Sequence, residues 1–299
     1  ISEFNFFKSH RINLIRFLST KYKSIVIATN LEEVTSEEIE KLNLPLGVKF
    51  QDYYLNRSSI GILSNFLSVF KLFRILYFYK PKRLFLVSSK PIIMGGICSL
   101  TLPIQKVYFN ISGLGYLFIS LKLKARLLKK LVLVIYKIIF LNKRSTVIFQ
   151  NNDDLDYFIN KGVVSNLRVE LLRGNGVDTK LFHRKKRPES IAFLFASRLL
   201  IDKGIKEYLS AARSIPNLDV KFMVAGKYDK DNPNCLSAEE IDKLREDSSV
   251  EYLEEIEYEK MPELFNSSDV FVLPSYREGL PKVALEAACS EMPLILSNV

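Results

Sequence analysis

The chain has 299 residues, of which 48% are hydrophobic and 25% are charged. This length and apolar content can supply two buried cores, and they exclude a disordered chain or a small disulfide-stabilised scaffold. Three widely spaced cysteines, Cys98, Cys235 and Cys289, indicate a reducing compartment rather than a disulfide framework or zinc cluster.

Charge divides the chain into two parts. Residues 1–187 contain 31 Lys and Arg against 12 Asp and Glu, a net charge of +19, whereas residues 188–299 contain 12 against 21, a net charge of −9. We therefore predict a basic domain at 1–187 and an acidic domain at 188–299. A basic domain can bind nucleic acid, an anionic membrane or an acidic substrate, and no nucleic-acid-binding motif accompanies the charge.

Strands and helices alternate along the first domain. Hydrophobic spacing predicts helices at 10–22, 60–79, 94–102 and 120–141, and strands at 24–28, 49–52, 83–87, 106–110, 146–150 and 168–172. Asn151 and its neighbours supply caps for a further helix through residue 159. This order predicts an α/β fold with a parallel sheet covered on both faces.

A glycine-containing turn, Ile-Ser-Gly-Leu-Gly-Tyr-Leu-Phe, occupies residues 111–118, after a predicted strand. Open α/β sheets place ligands at this end of a strand. An ordinary turn between a strand and a helix is the alternative interpretation.

The helix predicted at 120–141 has a basic stripe. At about 100° per residue, Lys122, Arg126, Lys129, Lys130 and Lys137 share one side, and the opposite side carries Leu127, Leu131, Val134 and Ile138. Such a helix can lie on anionic lipid, with Leu133 dipping below the headgroups. The alternative is a domain helix with a solvated basic face. The longest apolar run here, residues 131–141, is too short to span a bilayer.

The second domain restarts the strand and helix alternation. Strands are predicted at 191–196, 220–225, 250–253 and 270–273, and helices at 205–214, 261–266 and 281–291; a last strand-like run covers 293–299. Arg198 and Lys203 lie in the loop after the first of these strands. Two cations at such an edge suit a diphosphate, because Arg offers a bidentate fork and Lys a movable charge.

The segment Pro-Ser-Tyr-Arg-Glu-Gly-Leu-Pro-Lys-Val-Ala-Leu-Glu at 274–286 is the most informative stretch. Gly279 allows a tight turn, and Pro281 suits the first position of a helix. Exposed N–H groups in that first turn predict an anion site. Glu278 and Glu286 are eight residues apart, so both carboxylates are expected to border one crevice.

At these residues the chain resembles retaining GT-B glycosyltransferases of the group 1 type, which carry two glutamates eight apart around Gly-Leu-Pro. The resemblance implies two Rossmann-like domains facing a cleft, with a nucleotide sugar bound mainly by the second domain. It implies that Arg198 and Lys203 hold the donor diphosphate, that Glu278 holds the sugar and Glu286 the ribose. Donor contacts are also expected from Ser197, Gly226, Gly279, Leu280 and Pro281. Catalysis would then depend on Glu278, Arg198 and Lys203.

The resemblance further implies catalysis without a cofactor or metal. Two aspartate pairs, Asp154 with Asp156 and Asp229 with Asp231, match the metal-binding pattern of another glycosyltransferase fold. Neither follows a strand as such a site requires, so we interpret the first as charge at a helix start and the second as a solvated loop.

The segment from Gly113 to Gly115 resembles that of lipid-linked oligosaccharide transferases. Phe-Phe-x-x-His-Arg, ending at His10 and Arg11, also resembles a pattern in these enzymes, although His10 can equally be a capping residue at a helix start. We therefore expect an acceptor site at His10, Arg11, Gly113 and Gly115. The segment from Gly113 to Phe118 contains no histidine to serve as a general base, and the resemblance implies that a donor phosphate oxygen accepts the proton of the acceptor.

The function expected from this resemblance is transfer of a hexose or N-acetylhexosamine from a UDP-sugar to a polyprenyl-diphosphate-linked saccharide. Such an enzyme would work at the inner face of the cytoplasmic membrane in synthesis of O-antigen, lipopolysaccharide or capsule, as a peripheral protein on anionic lipid. The resemblance also implies chain before Phe4 and after Val299, so that these residues are a fragment. The alternatives are a GT-B nucleotide-sugar epimerase and a non-catalytic protein that binds nucleotide sugars or glycans.

Overall fold

The computed structural model describes residues 1, 3–53, 62–113, 118, 123–165, 168–183, 191–215, 219–230, 232 and 234–299, with the side chains of 62–64 and 123–125 also left aside. The chain forms two compact units, Ile1–Arg173 and Gly174–Val299.

The first unit contains two parallel sheets. Strand β1 (Ile25–Thr29) pairs with β2 (Val48–Asp52), and four strands, β3 (Arg83–Val87), β4 (Lys106–Ile111), β5 (Ser145–Phe149) and β6 (Val169–Leu171), pair in sequence order. Its helices are α1 (Phe4–His10), α2 (Ile12–Ser19), α3 (Ser36–Lys41), α4 (Ile62–Tyr79), α5 (Ser89–Thr101), α6 (Leu123–Phe140) and α7 (Asn152–Asn160).

Helices α5, α6 and α7 connect successive strands of the four-stranded sheet. Because each connection moves to the next strand in the same direction, right-handed crossovers place all three helices on one face. Helix α5 packs against both α4 and α6, which extends this helical layer. The core beneath it contains Phe109, Tyr136, Ile139 and Phe149, all at most 2% exposed.

The second unit is built on one five-stranded parallel sheet. Its strands are β7 (Ile191–Ala196), β8 (Val220–Ala225), β9 (Glu251–Tyr252), β10 (Val270–Leu273) and β11 (Leu294–Leu296), in the spatial order β11-β10-β7-β8-β9. Its helices are α8 (Ile205–Arg213), α9 (Ala238–Arg245), α10 (Met261–Asn266) and α11 (Lys282–Cys289), with 3₁₀ turns at Ile201–Lys203 and Tyr258–Lys260. The predicted parallel α/β architecture is confirmed in each unit.

Several predicted elements differ from the observed ones. The helix expected at 10–22 is observed as α2 alone, at Ile12–Ser19, and a separate helix α1 precedes it, because the backbone breaks at Arg11, where φ is −127° and ψ is −11°. His10 therefore ends α1 instead of starting a helix. Helices α3 and α9 were not predicted, although each begins with a capping box, Thr35 with Glu38 and Ser237 with Glu240.

The two units divide after Arg173, whereas the charge change suggested a boundary after Arg187. The physical reason is packing by Phe182, which is fully buried in the core of the second unit. Its ring lies 5.8 Å from the rings of both Tyr258 and Phe265. Residues 174–183 thus belong structurally with the acidic part of the chain.

Helix α6 has three sectors instead of two. Leu127, Leu131, Val134 and Ile138 are between 51% and 61% exposed, and a separate sector containing Tyr136 and Ile139 faces the core. The expectation that Leu133 projects into lipid is wrong, because Leu133 packs partly against this core. Among the described residues, no helix is long and apolar enough to cross a membrane.

Tyr208 on α8 joins the central strand of the second unit, β7, to its neighbour β8. Its hydroxyl donates to the carbonyl oxygen of Phe193 at 2.8 Å and accepts from the N–H of Met223 at 3.1 Å. The side chain is 2% exposed, and burial raises its pKa. This phenol therefore anchors α8 to β7 and β8.

Replacing Tyr208 by Phe should lower the free energy of unfolding by about 1–2 kcal/mol, since the ring is retained and buried hydrogen bonds are lost. Urea denaturation measures this change. Tyr77→Phe is the matched control, because Tyr77 is 63% exposed and its substitution should leave the midpoint unchanged. Equal midpoints for both variants would contradict the assigned role of the Tyr208 hydroxyl.

Candidate functional site

Three loops of the second unit leave the same edge of its sheet. Strands β10, β7 and β8 are neighbours and run parallel, so the segments that follow them begin at adjacent carboxyl ends. Open α/β sheets bind ligands outside this edge. The structure thus brings together the predicted donor residues Ser197, Arg198, Lys203, Gly226, Glu278, Gly279, Leu280 and Pro281.

Lys203 and Glu278 form the central contact of this edge. The ammonium group of Lys203 donates to Oε1 of Glu278, and the hydroxyl of Ser275 donates to the same oxygen at 3.3 Å. The two charged side chains are only 18% and 19% exposed. The backbone N–H of Tyr276 also donates to the carbonyl of Asp202 at 2.9 Å. The loops after β7 and β10 are therefore joined by both backbone and side chains.

Two glycines permit the close approach of these loops. Gly204 has a φ of +77°, and a Cβ at this position would lie 2.1 Å from the carbonyl oxygen of Pro274. At Gly226, a Cβ would lie 1.8 Å from the carbonyl oxygen of Ser197. Both distances are impossible for real atoms, so these glycines are required by contact between loops.

Arg198 lies beside the loop after β8. Its Nη1 is 3.3 Å from Oδ2 of Asp229, and the side chains are 40% and 24% exposed. Asp229 was interpreted as part of a solvated loop, but the structure uses it to orient Arg198; Asp231 lies outside the described residues. Half-exposed pairs of this kind are weak, so a ligand can compete for the guanidinium.

The loop from Glu278 leads directly into α11. Pro281 is the N-cap residue, with φ −65° and ψ 128°, so the helix begins at Lys282 and not at Pro281 as predicted. As the N-cap residue, Pro281 provides no capping hydrogen bond from its side chain. Gly279 is not among the described glycines with positive φ. The N–H groups at the start of α11 therefore remain the predicted anion site.

Glu286 occupies a different environment from Glu278. Its side chain is buried and accepts a hydrogen bond from Lys282, one turn earlier on α11. The Lys282 ammonium lies 4.3 Å from the Tyr258 ring centroid and 5.6 Å from that of Phe182. Each carboxylate is thus paired with its own lysine, and the side chain of Glu286 is 5% exposed against 19% for Glu278.

Burial dominates the protonation of this second pair. It raises the pKa of the Glu286 carboxyl and lowers the pKa of the Lys282 ammonium, while their mutual attraction opposes both shifts. Burial also raises the pKa of the Tyr258 hydroxyl, with the nearby Glu286 charge acting in the same direction. Lys282 and Glu286 of α11 thus form a buried ionic cluster with Tyr258.

The predicted acceptor residues lie in the first unit. His10 stacks on Phe6 with ring centroids 4.4 Å apart, and its Nδ1 is 2.7 Å from the hydroxyl of Ser9. Arg11 is only 5% exposed, and burial lowers its pKa to about 10. Gly113 is exposed, with φ +141° and open space around a Cβ position. Gly115 lies outside the described residues.

Sequence reasoning missed four residues of this region. Lys282 carried a detectable signal, because it precedes Glu286 by four residues in a helical segment. Ser275 lies in the motif itself but has no distinguishing pattern. Asp229 and Tyr258 come from distant segments, so only the folded chain places them beside Arg198 and Glu286.

Comparison with known proteins finds a family match within the second unit. Residues 177–299 match the family model "Glycosyl transferases group 1". The chain is 26% identical to N,N'-diacetylbacillosaminyl-diphospho-undecaprenol alpha-1,3-N-acetylgalactosaminyltransferase of Campylobacter jejuni, over 96% of this chain and 76% of the relative. It is also 26% identical to UDP-Gal:alpha-D-GlcNAc-diphosphoundecaprenol alpha-1,3-galactosyltransferase of Escherichia coli, over 81% of this chain and 64% of that relative.

Solved structures support the fold. Sucrose-phosphate synthase from Thermosynechococcus elongatus aligns with 96% of this chain and 74% of its own, with a TM-score of 0.72 and 18% identity. The Anabaena protein HepE, solved in complex with UDP and glucose, aligns with 96% of this chain and 76% of its own, with a TM-score of 0.67 and 15% identity. The predicted GT-B fold class is thereby confirmed.

Substitutions at Lys282 and Glu286 should show that the ion pair between them is buried. Lys282→Met leaves an uncompensated buried carboxylate and should cost about 3 kcal/mol, whereas Lys282→Met with Glu286→Gln should cost less than the sum of the single changes. Urea denaturation of the four proteins gives the coupling energy. Lys206→Met, which removes a half-exposed pair with Glu240, is the control and should change stability by less than about 0.5 kcal/mol. Additive single changes would contradict the contact.

The raised pKa of Glu286 predicts the direction of a pH effect. The folded state binds this proton more tightly than the unfolded chain, whose Glu titrates near 4.5, so the stability contributed by the group is lost as pH rises through the folded pKa. The stability of the native protein relative to Glu286→Gln should therefore fall as pH increases above 4.5. Urea denaturation across this range tests it. A relative stability that rises instead would mean that attraction to Lys282 outweighs burial.

Proposed function

We propose that this chain, which carries a group 1 glycosyl transferase domain at residues 177–299 on a GT-B fold, transfers a sugar from a nucleotide sugar to a lipid-linked saccharide. The observation that carries the proposal is the convergence of three loops at one sheet edge, where Lys203 contacts Glu278. That edge combines cations for a diphosphate with a carboxylate for sugar hydroxyls.

The donor diphosphate would lie between Lys203, Arg198 and the start of α11. Each cation already has a carboxylate partner, Glu278 or Asp229, which holds it near the sheet edge without a ligand's charge. The diphosphate would compete for the two cations, and Glu278 would then accept hydrogen bonds from the sugar. Ser197 and Gly226 would border the donor through backbone contacts, and Leu280 would pack against it.

The proposed reaction transfers the sugar with retention of its anomeric configuration. The bond between the anomeric carbon and the phosphate oxygen breaks, and negative charge develops on the departing diphosphate. Lys203, Arg198 and the N–H groups of α11 would stabilise this charge more in the transition state than in the ground state. An acceptor hydroxyl oxygen forms the new bond on the same face, and its proton passes to a phosphate oxygen of the leaving nucleotide.

This scheme requires neither a metal nor another cofactor. Lysine, arginine and a helix N-terminus would supply the positive charge that a metal supplies in other transferases. Glu286 would hold the ribose through its carboxylate. Since Lys282 occupies that carboxylate in the structure, ribose binding would involve sharing or displacing this lysine.

The acceptor class is proposed from the two relatives, whose names specify diphospho-undecaprenol-linked acceptors. We propose a polyprenyl-diphosphate-linked saccharide as acceptor and a UDP-linked hexose or N-acetylhexosamine as donor. The acceptor would approach the first unit at Gly113, whose surroundings are open, and near His10. Work on such an acceptor places the enzyme at the inner face of the cytoplasmic membrane, in assembly of a surface polysaccharide.

The test is release of UDP from a panel of UDP-sugars, measured with and without an undecaprenyl-diphosphate-linked saccharide. Arg198→Met and Lys203→Met should each lower turnover about a hundredfold, equivalent to about 3 kcal/mol, because each removes a charge from the leaving group. Lys206→Met should retain activity, since Lys206 pairs with Glu240 on another helix.

Three outcomes would contradict the proposal. Release of a free sugar or its epimer without an acceptor would indicate an epimerase. Tight binding of UDP-sugars without turnover would indicate a non-catalytic binding protein. Full turnover of both Arg198→Met and Lys203→Met would show that these two cations do not form the diphosphate site, even where sugar transfer is observed.

A further inference from the structure

The helical layer of the first unit has an unusually apolar outer surface. On α4, Phe66, Phe70 and Tyr77 are between 54% and 68% exposed. At about 100° per residue they fall within an arc of about 40°, whose centre lies roughly 100–140° around α4 from the buried Leu72 and Leu76. Three large aromatic rings therefore line one exposed edge of a single helix.

Helix α6 presents a second apolar line. Leu127, Leu131, Val134 and Ile138 repeat at helical spacing and are more than half exposed, and Leu141 continues the line past the end of the helix. Between α4 and α6 lies α5, which packs against both and contributes exposed Ile97 and Leu100. The exposed apolar side chains of α4, α5 and α6 named in this and the preceding paragraph are hereafter called the apolar face.

Positive charge borders the apolar face on α6. Arg126, Lys130 and Lys137 are exposed and occupy the sector next to the aliphatic line, while Tyr136 and Ile139 fill the sector that faces the core. An apolar sector beside a cationic sector is the pattern of a helix lying in a membrane interface. Isolated exposed apolar residues are common, but exposed apolar residues on three helices that pack side by side indicate a binding surface.

The charge of the surrounding sequence indicates which partner binds the apolar face. From residue 53 to residue 152 the sequence contains 16 Lys and Arg and no Asp or Glu, and this stretch includes all three helices of the apolar face. A second copy docking through the same surface would bring two strongly cationic stretches together, which is unfavourable. An anionic surface with an apolar interior complements both features, and an anionic lipid bilayer has this composition.

We propose that the apolar face binds a bilayer containing anionic lipid, with the aromatic and aliphatic side chains of α4, α5 and α6 at the acyl boundary. Arg126, Lys130 and Lys137 lie among the headgroups. This inference rests on the proposed function in one respect only: a polyprenyl-linked acceptor resides in a membrane, which brings the chain to a bilayer. It assigns lipid contact to the line through Leu131 and Ile138, and places the basic stripe beside it.

The test is flotation of the full chain with vesicles of phosphatidylcholine alone or of phosphatidylcholine mixed with phosphatidylglycerol. Leu131→Gln with Ile138→Gln, and separately Phe66→Gln with Phe70→Gln, should each lower partitioning onto the anionic vesicles about tenfold or more. Lys130→Gln with Lys137→Gln should lower it about fivefold per charge removed, and only on the anionic vesicles.

The matched control is Phe17→Gln with Leu46→Gln, because both residues are exposed apolar side chains of the first unit outside the apolar face. This variant should float like the native chain. Circular dichroism and thermal unfolding should be unchanged in all variants, since every substituted side chain is on the surface.

The proposal is overturned if the native chain does not float with anionic vesicles, or if both apolar double variants float as it does. It is also overturned if the native chain is a dimer that these variants dissociate while flotation persists. UDP release with a soluble saccharide acceptor separates the two hypotheses. A protein that floats through the apolar face but transfers no sugar contradicts the proposed function alone, whereas transfer without flotation contradicts this inference alone.

Discussion

The parallel alignment of β10, β7 and β8 is the constraint on which the candidate site depends. Because neighbouring parallel strands end at one edge, three loops far apart in sequence are forced into contact there. That contact is close enough to exclude side chains at Gly204 and Gly226, whose Cβ positions would overlap carbonyl oxygens of the adjacent loops. The pairing of Lys203 with Glu278 follows from this backbone arrangement, since the lysine ends one loop and the glutamate lies in another.

The two lysine and glutamate pairs of this region differ in their access to water, and this difference separates their roles. Lys203 and Glu278 retain nearly one fifth of their exposure, so a charged ligand can enter and exchange partners with them. Lys282 and Glu286 are more deeply buried and are covered by the rings of Tyr258 and Phe182. Breaking a buried pair costs more than loosening a partly solvated one, so exchange of partners with a ligand is easier at the first pair than at the second.

The first unit has a buried apolar core and also an exposed apolar surface. Helix α6 meets three environments, because Tyr136 and Ile139 are buried, Lys130 and Lys137 are exposed cations, and Leu131 and Ile138 are apolar yet more than half exposed. A helix that only covered its sheet would need one apolar sector. The additional exposed apolar sector lowers solubility, and contact with a bilayer would remove it from water.

The sequence by itself determined the element order and most strand positions, because buried parallel strands are short apolar runs that need no long-range information. It also located Arg198, Lys203 and Glu278, whose positions relative to strand ends follow from local spacing. Only the tertiary structure decided that Lys282 occupies the carboxylate of Glu286, that Asp229 orients Arg198, and that the line through Leu131 faces outward. Periodicity divides a helix into sectors, but which sector is buried depends on neighbours that are distant in sequence. The boundary after Arg173 was decided in the same way, since charge changes at the linker while Phe182 packs into the following core.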